Sequence, residues 1–241
     1  MKIIFPGTKG YIEAKSRRHR RHSCLTLQYR GKSVTIDCGE DWRGHLDELN
    51  ASAFVLTHAH PDHAGGLDQG CPVPVYATEI TWKGIEDYPL PRRKTVKPGT
   101  PFQVSGIWFE AFELEHSIRA PAVGYRVEAG NACIFYAPDV VYIKRRDEAL
   151  RGADIYIGDG ATVTRSFVRR RGDALMGHTP VRTQLTWCAK EGVPRAVFSH
   201  CGTQIVAGDE RKIKAEIRRL AAERDIENVD IAYDGMEIIL R

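Results

Sequence analysis

The chain has 241 residues, 42% of them hydrophobic and 27% charged. That length is too great for a disulfide-stapled miniprotein and fits a single α/β domain over residues 1–241, and the composition excludes extended disorder, a collagen-like fibre and a coiled coil. A formal charge of +4 is too small to mark a nucleic-acid binder by itself, and six cysteines scattered without a CxxC pair argue against a zinc ribbon, a redox dithiol or a disulfide framework.

In chain order, the opening MKIIFPGTKG has too short an apolar run for a secretory signal, and no window reaches the apolar length of a membrane helix, so a soluble, cytoplasmic protein is expected. Short runs rich in β-branched and aromatic residues predict strands at Lys2–Phe5, Cys24–Tyr29, Ser33–Asp37, Phe54–Leu56, Ile107–Phe112, Ala122–Val127, Cys133–Tyr136, Ile155–Ile157, Ala196–Phe198, Val229–Ala232 and Glu237–Leu240. Tyr29–Ser33 and Glu128–Asn131 read as hairpin turns. A helix is predicted to begin near Thr179, with Pro180 in its first turn, and to stop at Gly192 and Pro194. Another carries the apolar stripe Ile213, Ile217, Leu220 and Ala221. Hairpin strands early and helices between strands later give a mixed α/β, or α+β, class. Basic clusters stand at Lys15 to Arg21, at Arg92, Arg93 and Lys94, and at Arg169 to Arg171. Such runs are usually solvated loops.

The stretch Thr57-His58-Ala59-His60-Pro61-Asp62-His63-Ala64-Gly65-Gly66 carries the chemistry. It follows a predicted strand, so it sits where strand-based folds place ligands. Three imidazoles and a carboxylate interrupted by proline cannot share one helical face. From a rigid loop they can converge on two neighbouring cations, His58 and His60 on one, Asp62 and His63 on the other.

Here the sequence resembles the metallo-β-lactamase superfamily, whose HxHxDH signature appears as His58, His60, Asp62 and His63. Glu113-Leu114-Glu115-His116-Ser117 is similar to the segment of the next metal histidine, Tyr136-Ala137-Pro138-Asp139 to that of the bridging aspartate, and Phe198-Ser199-His200-Cys201 to that of the last ligand. The resemblance implies a four-layer αββα sandwich with two mixed sheets between helices. It implies that His58, His60 and His116 hold one metal, that Asp62, His63 and His200 hold a second, and that Asp139 bridges them. Taken singly, His116 or His200 is an ordinary hydrogen-bonded loop histidine. Zinc suits the nitrogen-rich shell, and manganese or iron are alternatives. Two such ions lower the pKa of a shared water and stabilise charge on the attacked centre, so a hydrolase is expected.

Within the superfamily, Met176-Gly177-His178-Thr179-Pro180 resembles the segment of ribonuclease Z and related phosphodiesterases that donates a proton to the leaving oxygen. Asp159, in Gly158-Asp159-Gly160-Ala161-Thr162, resembles the acidic partner that orients this histidine. The family's histidine there is Gly158 and its glutamate is shortened to Asp159, which leaves open whether Asp159 meets His178 directly or through a water. Gly7-Thr8, the basic segment, Ser23 and Asp37-Cys38-Gly39-Glu40 resemble the ribonuclease Z opening, which implies Arg17, Arg18, Arg20 and Arg21 as candidates to hold substrate phosphate. His116 and Asp139 stand too close in sequence to enclose the long tRNA-binding arm of that family. A compact phosphodiesterase acting on a nucleic-acid end or a small cyclic or nucleotide phosphodiester is therefore expected. The alternatives are an acyl hydrolase (a lactonase, thioesterase or β-lactamase relative) on the same metal pair, and a metal-free nucleic-acid-binding scaffold. Whether the chain pairs as a homodimer is left open.

Overall fold

The computed structural model describes residues 1–240. One sheet runs in the order Met236–Ile239, Lys2–Gly7, Cys24–Tyr29, Lys32–Ile36, Ala53–Val55, Val75–Thr78 and Arg93–Val96, the first four strands antiparallel and the rest joined in parallel. The other runs Tyr142–Ile143, Ile107–Glu115, Ala122–Ala129, Ala132–Tyr136, Ile155–Asp159, Arg195–Ser199 and Asn228–Ile231, with Phe102–Val104 beside Ile107–Glu115. Its last four strands are parallel.

Three apolar layers separate these sheets from each other and from the helices. Ile3, Phe5, Leu25, Leu27 and Val34 of one sheet meet Phe109, Tyr125, Val127, Ile134 and Ile157 of the other. Behind the second sheet, Phe135, Tyr156 and Phe198 pack with Leu185, Ile217 and Leu220 from the helices Val181–Glu191 and Glu210–Ala222. Outside the first sheet, Phe54, Leu56 and Val75 meet Trp42, Leu67 and Trp82. The order is helix, sheet, sheet, helix, the expected mixed α/β sandwich. Ala132–Tyr136 and Ile155–Asp159 are buried along their whole length because both faces are covered, whereas Lys2–Gly7 alternates.

The predicted strands are present with ends moved by a few residues, and Arg30 and Gly31, both at positive φ, make the tight turn between Cys24–Tyr29 and Lys32–Ile36. Pro180 precedes the first helical residue instead of occupying the first turn: its ψ of 153° is extended, and Val181 opens the helix. The predicted stripe lies buried on Glu210–Ala222, whose start is capped by the Asp209 carboxylate accepting from the Arg211 and Lys212 amides. The basic run at 92–94 falls at an edge strand, where the Arg93 guanidinium donates to the Glu86 and Tyr88 carbonyls.

The antiparallel half of the second sheet reaches across to the first at the start of the histidine loop. The buried Tyr125 hydroxyl donates to the Leu56 carbonyl at 2.8 Å, and the Val123 amide donates to the Thr57 carbonyl at 3.1 Å. Replacing Tyr125 with Phe leaves the buried Leu56 carbonyl without that donor and is expected to cost about 1–2 kcal/mol in urea denaturation. An unchanged midpoint and slope would show that the hydroxyl does not brace this loop.

Candidate metal centre

Each polar residue of the site leaves the end of a strand. His58 follows Ala53–Val55 by a few residues, His116 follows Ile107–Glu115, Asp139 follows Ala132–Tyr136, Asp159 ends Ile155–Asp159 and His200 follows Arg195–Ser199. The strands before Asp139, Asp159 and His200 are parallel neighbours, so their carboxyl ends meet on one rim. His60 caps the one-turn helix Pro61–Ala64, with Pro61 at its first position, which lifts Asp62 and His63 inward together. Gly39 makes this approach physically possible, because a β-carbon there would stand 2.1 Å from the Asp62 carbonyl oxygen. Asp37 and His200 hold left-handed backbone conformations, φ 62° and 51°, which are uncommon for non-glycine residues.

The side chains converge in three overlapping groups: His58, His60, His116 and Asp139 in the first, Asp62, His63, Asp139 and His200 in the second, and Asp139, Asp159, His178 and His200 in the third. In the first, His58 Nε2 is 2.9 Å from His60 Nδ1 and 3.3 Å from Asp139 Oδ2, and His116 Nε2 is 3.4 Å from both. In the second, His63 Nε2 lies 3.2 Å from Asp62 Oδ2 and 3.0 Å from Asp139 Oδ2, and His200 Nε2 lies 3.0 Å from Asp62 Oδ2. Spacings near about 3.3 Å are the edges of a tetrahedron with bonds of about 2.0 Å, the geometry of nitrogen and oxygen donors around zinc-sized ions. His63 Nε2, Asp139 Oδ1 and His200 Nδ1 are buried without an aligned hydrogen-bond partner. Buried polar atoms left so are costly unless something binds them. The donor set fits a pair of divalent cations, with Asp139 common to the first two groups.

The outer nitrogens carry the protons. His58 Nδ1 donates to Thr57 Oγ1 at 2.9 Å, His63 Nδ1 to Asp37 Oδ2 at 2.9 Å and His116 Nδ1 to the Gly177 carbonyl at 3.1 Å. Each bond orients the ring and turns Nε2 inward. Burial, with help from neighbouring imidazoles, pushes His58, His60 and His116 down to about 4, so they stand neutral and ready to ligate. Burial opposes charge on His63 and His200 too, but the surrounding carboxylates outweigh it and hold both well above the ordinary value.

Beside this cluster, His178 Nδ1 donates to Asp159 Oδ2 at 2.7 Å. No bridging water is needed, because Asp159 reaches the ring directly from the last position of its strand. Burial would lower the His178 pKa, but the Asp159 carboxylate and its hydrogen bond raise it overall. Asp159 also accepts from the Val140 and Ala161 amides, which hold its two oxygens in place. Gly177 sits at φ 107°, and a β-carbon there would meet the Phe167 carbonyl at 2.2 Å.

The N-terminal arginines are elsewhere. Arg17 and Arg18 line a cavity of about 320 Å³ with His19, Glu210 and Lys214 that shares no residue with the metal cluster. Arg18 pairs with Glu210 at 3.3 Å over the Tyr233 ring, and Arg21 with Glu48 at 2.7 Å over Trp42. Arg20 contributes its backbone amide to Asp234. Two of the four guanidinium groups of the implied phosphate site are thus already neutralised by carboxylates.

Two supporting residues escaped sequence reasoning. Asp37 accepts from the Thr57 amide, the Thr57 hydroxyl and His63, and nothing in a strand-end aspartate signals that role. Gln184, on the helix Val181–Glu191, is fully buried. Its amide donates to the Asp159 and Thr179 carbonyls, and its oxygen accepts from the Asp159 amide. Asp37→Asn weakens the proton acceptor of His63 while preserving shape, and about 10- to 100-fold weaker metal binding is expected in chelator competition. Undiminished affinity would remove Asp37 from the support of the centre.

Residues 32–201 match the family model described as "Beta-lactamase superfamily domain". A ribonuclease Z of Methanopyrus kandleri is 30% identical over 173 residues, covering 63% of this chain and 60% of that protein. Thus the matched segment spans less than two thirds of that relative. Among solved structures, the metallo-beta-lactamase fold protein YhfI of Bacillus subtilis superposes with a TM-score of 0.75 at 16% identity, over 98% of each chain. A diphosphatase from the PhnP family superposes at 0.73 with 20% identity, over 100% of this chain and 98% of that one. At such identities the two structures speak to the fold alone. Among the described residues, no helix is long and apolar enough to cross a membrane.

Proposed function

This chain belongs to the beta-lactamase superfamily, and on that footing we propose that it is a metal-dependent phosphodiesterase with His178 as its general acid. The observation that carries the reading is the direct 2.7 Å contact between His178 Nδ1 and Asp159, which leaves Nε2 as the nitrogen available to a substrate. An activated aryl ester or aryl phosphodiester loses its leaving group without such a donor, whereas an alkoxide leaving from phosphorus needs a proton. His178 and His200 line one cavity, so the acid stands beside the cluster that would receive the phosphoryl group. Ribonuclease Z is also the name carried by the relative from Methanopyrus kandleri.

The seven ligands in this reading are His58, His60, Asp62, His63, His116, Asp139 and His200, and two Zn²⁺ ions are the occupants, with Mn²⁺ or Fe²⁺ as substitutes. When bound, such a pair supplies a water ionised at neutral pH and positive charge against the developing phosphorane. Asp62, whose Oδ2 faces His63 and His200, would add negative charge to the second group and help orient the attacking water. Asp159 holds the His178 ring in place and favours its protonated form. As the phosphorus–oxygen bond breaks, the proton passes from His178 Nε2 to the leaving oxygen. The substrate is a nucleic-acid end or a small cyclic or nucleotide phosphodiester. Six free, buried cysteines accord with a cytoplasmic location for this enzyme.

His178→Ala is expected to keep both metals and to lose about a hundredfold or more in kcat on a phosphodiester with a poor leaving group, with a far smaller loss on an activated nitrophenyl phosphodiester. Equal losses on both substrates would remove the general-acid role. Hydrolysis of a lactone or β-lactam, with none of any phosphodiester, would overturn the reading as a whole.

A further inference from the structure

The chain between Asp159 and His178 builds a feature that the catalytic reading leaves unused. Arg169–Arg171 and Ala174–Met176 form a two-stranded antiparallel hairpin that stands apart from both main sheets. Its base is fastened to the metal centre: the Gly177 amide donates to the His116 carbonyl at 2.9 Å, and the Phe167 amide to the His178 carbonyl at 3.1 Å. Its outgoing strand is three consecutive exposed arginines, with Arg165 exposed just before it. Elsewhere, Arg18, Arg21, Arg43, Arg126, Arg145 and Arg146 each pair with a carboxylate, whereas others such as Arg17, Arg20, Arg30 and Arg92 do not; the hairpin differs in setting three such cations in succession. Among the described residues, Arg165, Arg169, Arg170 and Arg171 pair with none, and Asp173 at the turn is the hairpin's one acidic group. Cations left unpaired on a rooted element, at about 3.3 Å per residue, present more positive charge than one scissile phosphate can neutralise.

Aromatic rings stand at the same place. Tyr11 is 64% exposed and Phe167 44%, and both line the cavity of about 230 Å³ that also contains His178 and His200. The Arg165 guanidinium lies 5.8 Å from the Phe167 ring centroid. Exposed rings beside an unpaired basic strand are the two components by which proteins hold unpaired nucleotides: bases stack on the rings while cations follow the backbone. A duplex covers the faces of its bases and offers the rings nothing to stack on.

We propose that the arginine hairpin, together with Tyr11 and Phe167, is a binding surface for single-stranded nucleic acid that leads a strand into the metal centre. The delivery of the strand rests on the phosphodiesterase reading; the binding does not. Arg169 and Arg171 point to one face of the hairpin and Arg170 to the other, so a strand lying along it meets at least two guanidinium groups.

The test is fluorescence anisotropy of a short labelled RNA or DNA strand on the full metal-loaded chain, across a salt series. The triple variant Arg169→Ala/Arg170→Ala/Arg171→Ala is expected to bind more weakly and to lower the slope of log affinity against log salt by about 1.4 to 2, the loss of two or three phosphate contacts on a single strand. Tyr11→Ala and Phe167→Ala are each expected to weaken binding about tenfold with little change in slope. For hydrolysis, the triple variant should lose at least about ten times more kcat/KM on an oligonucleotide than on bis(nitrophenyl) phosphate. An unchanged salt slope, a duplex bound as tightly as a strand, or displacement by polyglutamate as effective as by unlabelled strand would each overturn the surface. Should the hairpin variant fail to fold, Tyr11→Ala, outside the hairpin, decides: undiminished strand affinity overturns the proposal. Wild-type protein that binds strands in this way but cleaves no phosphodiester would refute the phosphodiesterase reading and leave the surface standing. Cleavage with no loss of salt slope in the triple variant would do the reverse.

Discussion

The Asp139 carboxylate is sealed from solvent and faced by His58, His63, His116 and His200 at separations between 2.8 and 3.4 Å. A charge so placed in a protein interior is costly without compensation. Hydrogen bonds within the cluster do not complete the compensation, since one oxygen of Asp139 and ring nitrogens of His63 and His200 find no aligned partner. Cations at the two foci of the cluster would resolve that cost, and the remainder of the architecture can be understood as holding the donors where such cations would need them.

Two sheets are required for this, because neither alone carries the ligands. The first sheet delivers the loop from His58 to His63, and the second delivers His116, Asp139 and His200 from its strand ends. Tyr125 and Val123 tie the second sheet to the root of that loop, and Asp37 ties His63 and Thr57 to the end of Lys32–Ile36. The left-handed backbone conformations of Asp37 and His200 lie at the point of contact between the two halves. Metal binding and sheet packing are thereby coupled: a donor that moves must move a strand end.

Much of this was legible in the sequence, for identifiable reasons. Strands buried between layers are continuous apolar runs, and the histidine loop is compressed into a few residues with a proline and a Gly-Gly pair that leave little conformational choice. The residues missed are those whose function depends on partners far away in the chain. Val75–Thr78 and Arg93–Val96 are short strands near or at a sheet edge, the latter largely charged, and carry almost no periodic signal. Gln184 resembles any polar residue on a helix until the Asp159 backbone is placed beneath it. The arginines at 17–21 and at 169–171 are equally basic in sequence, yet carboxylates take up two of the first group while the second remains unpaired, a distinction only tertiary structure makes.

Anomalous diffraction from crystals grown with zinc, recorded on either side of its absorption edge, puts the whole arrangement to its most direct trial. Two peaks are predicted, one amid His58, His60 and His116 and one amid Asp62, His63 and His200, with the Asp139 carboxylate between them. Ordered side chains in these positions with no anomalous signal at either focus would contradict a metal-dependent enzyme.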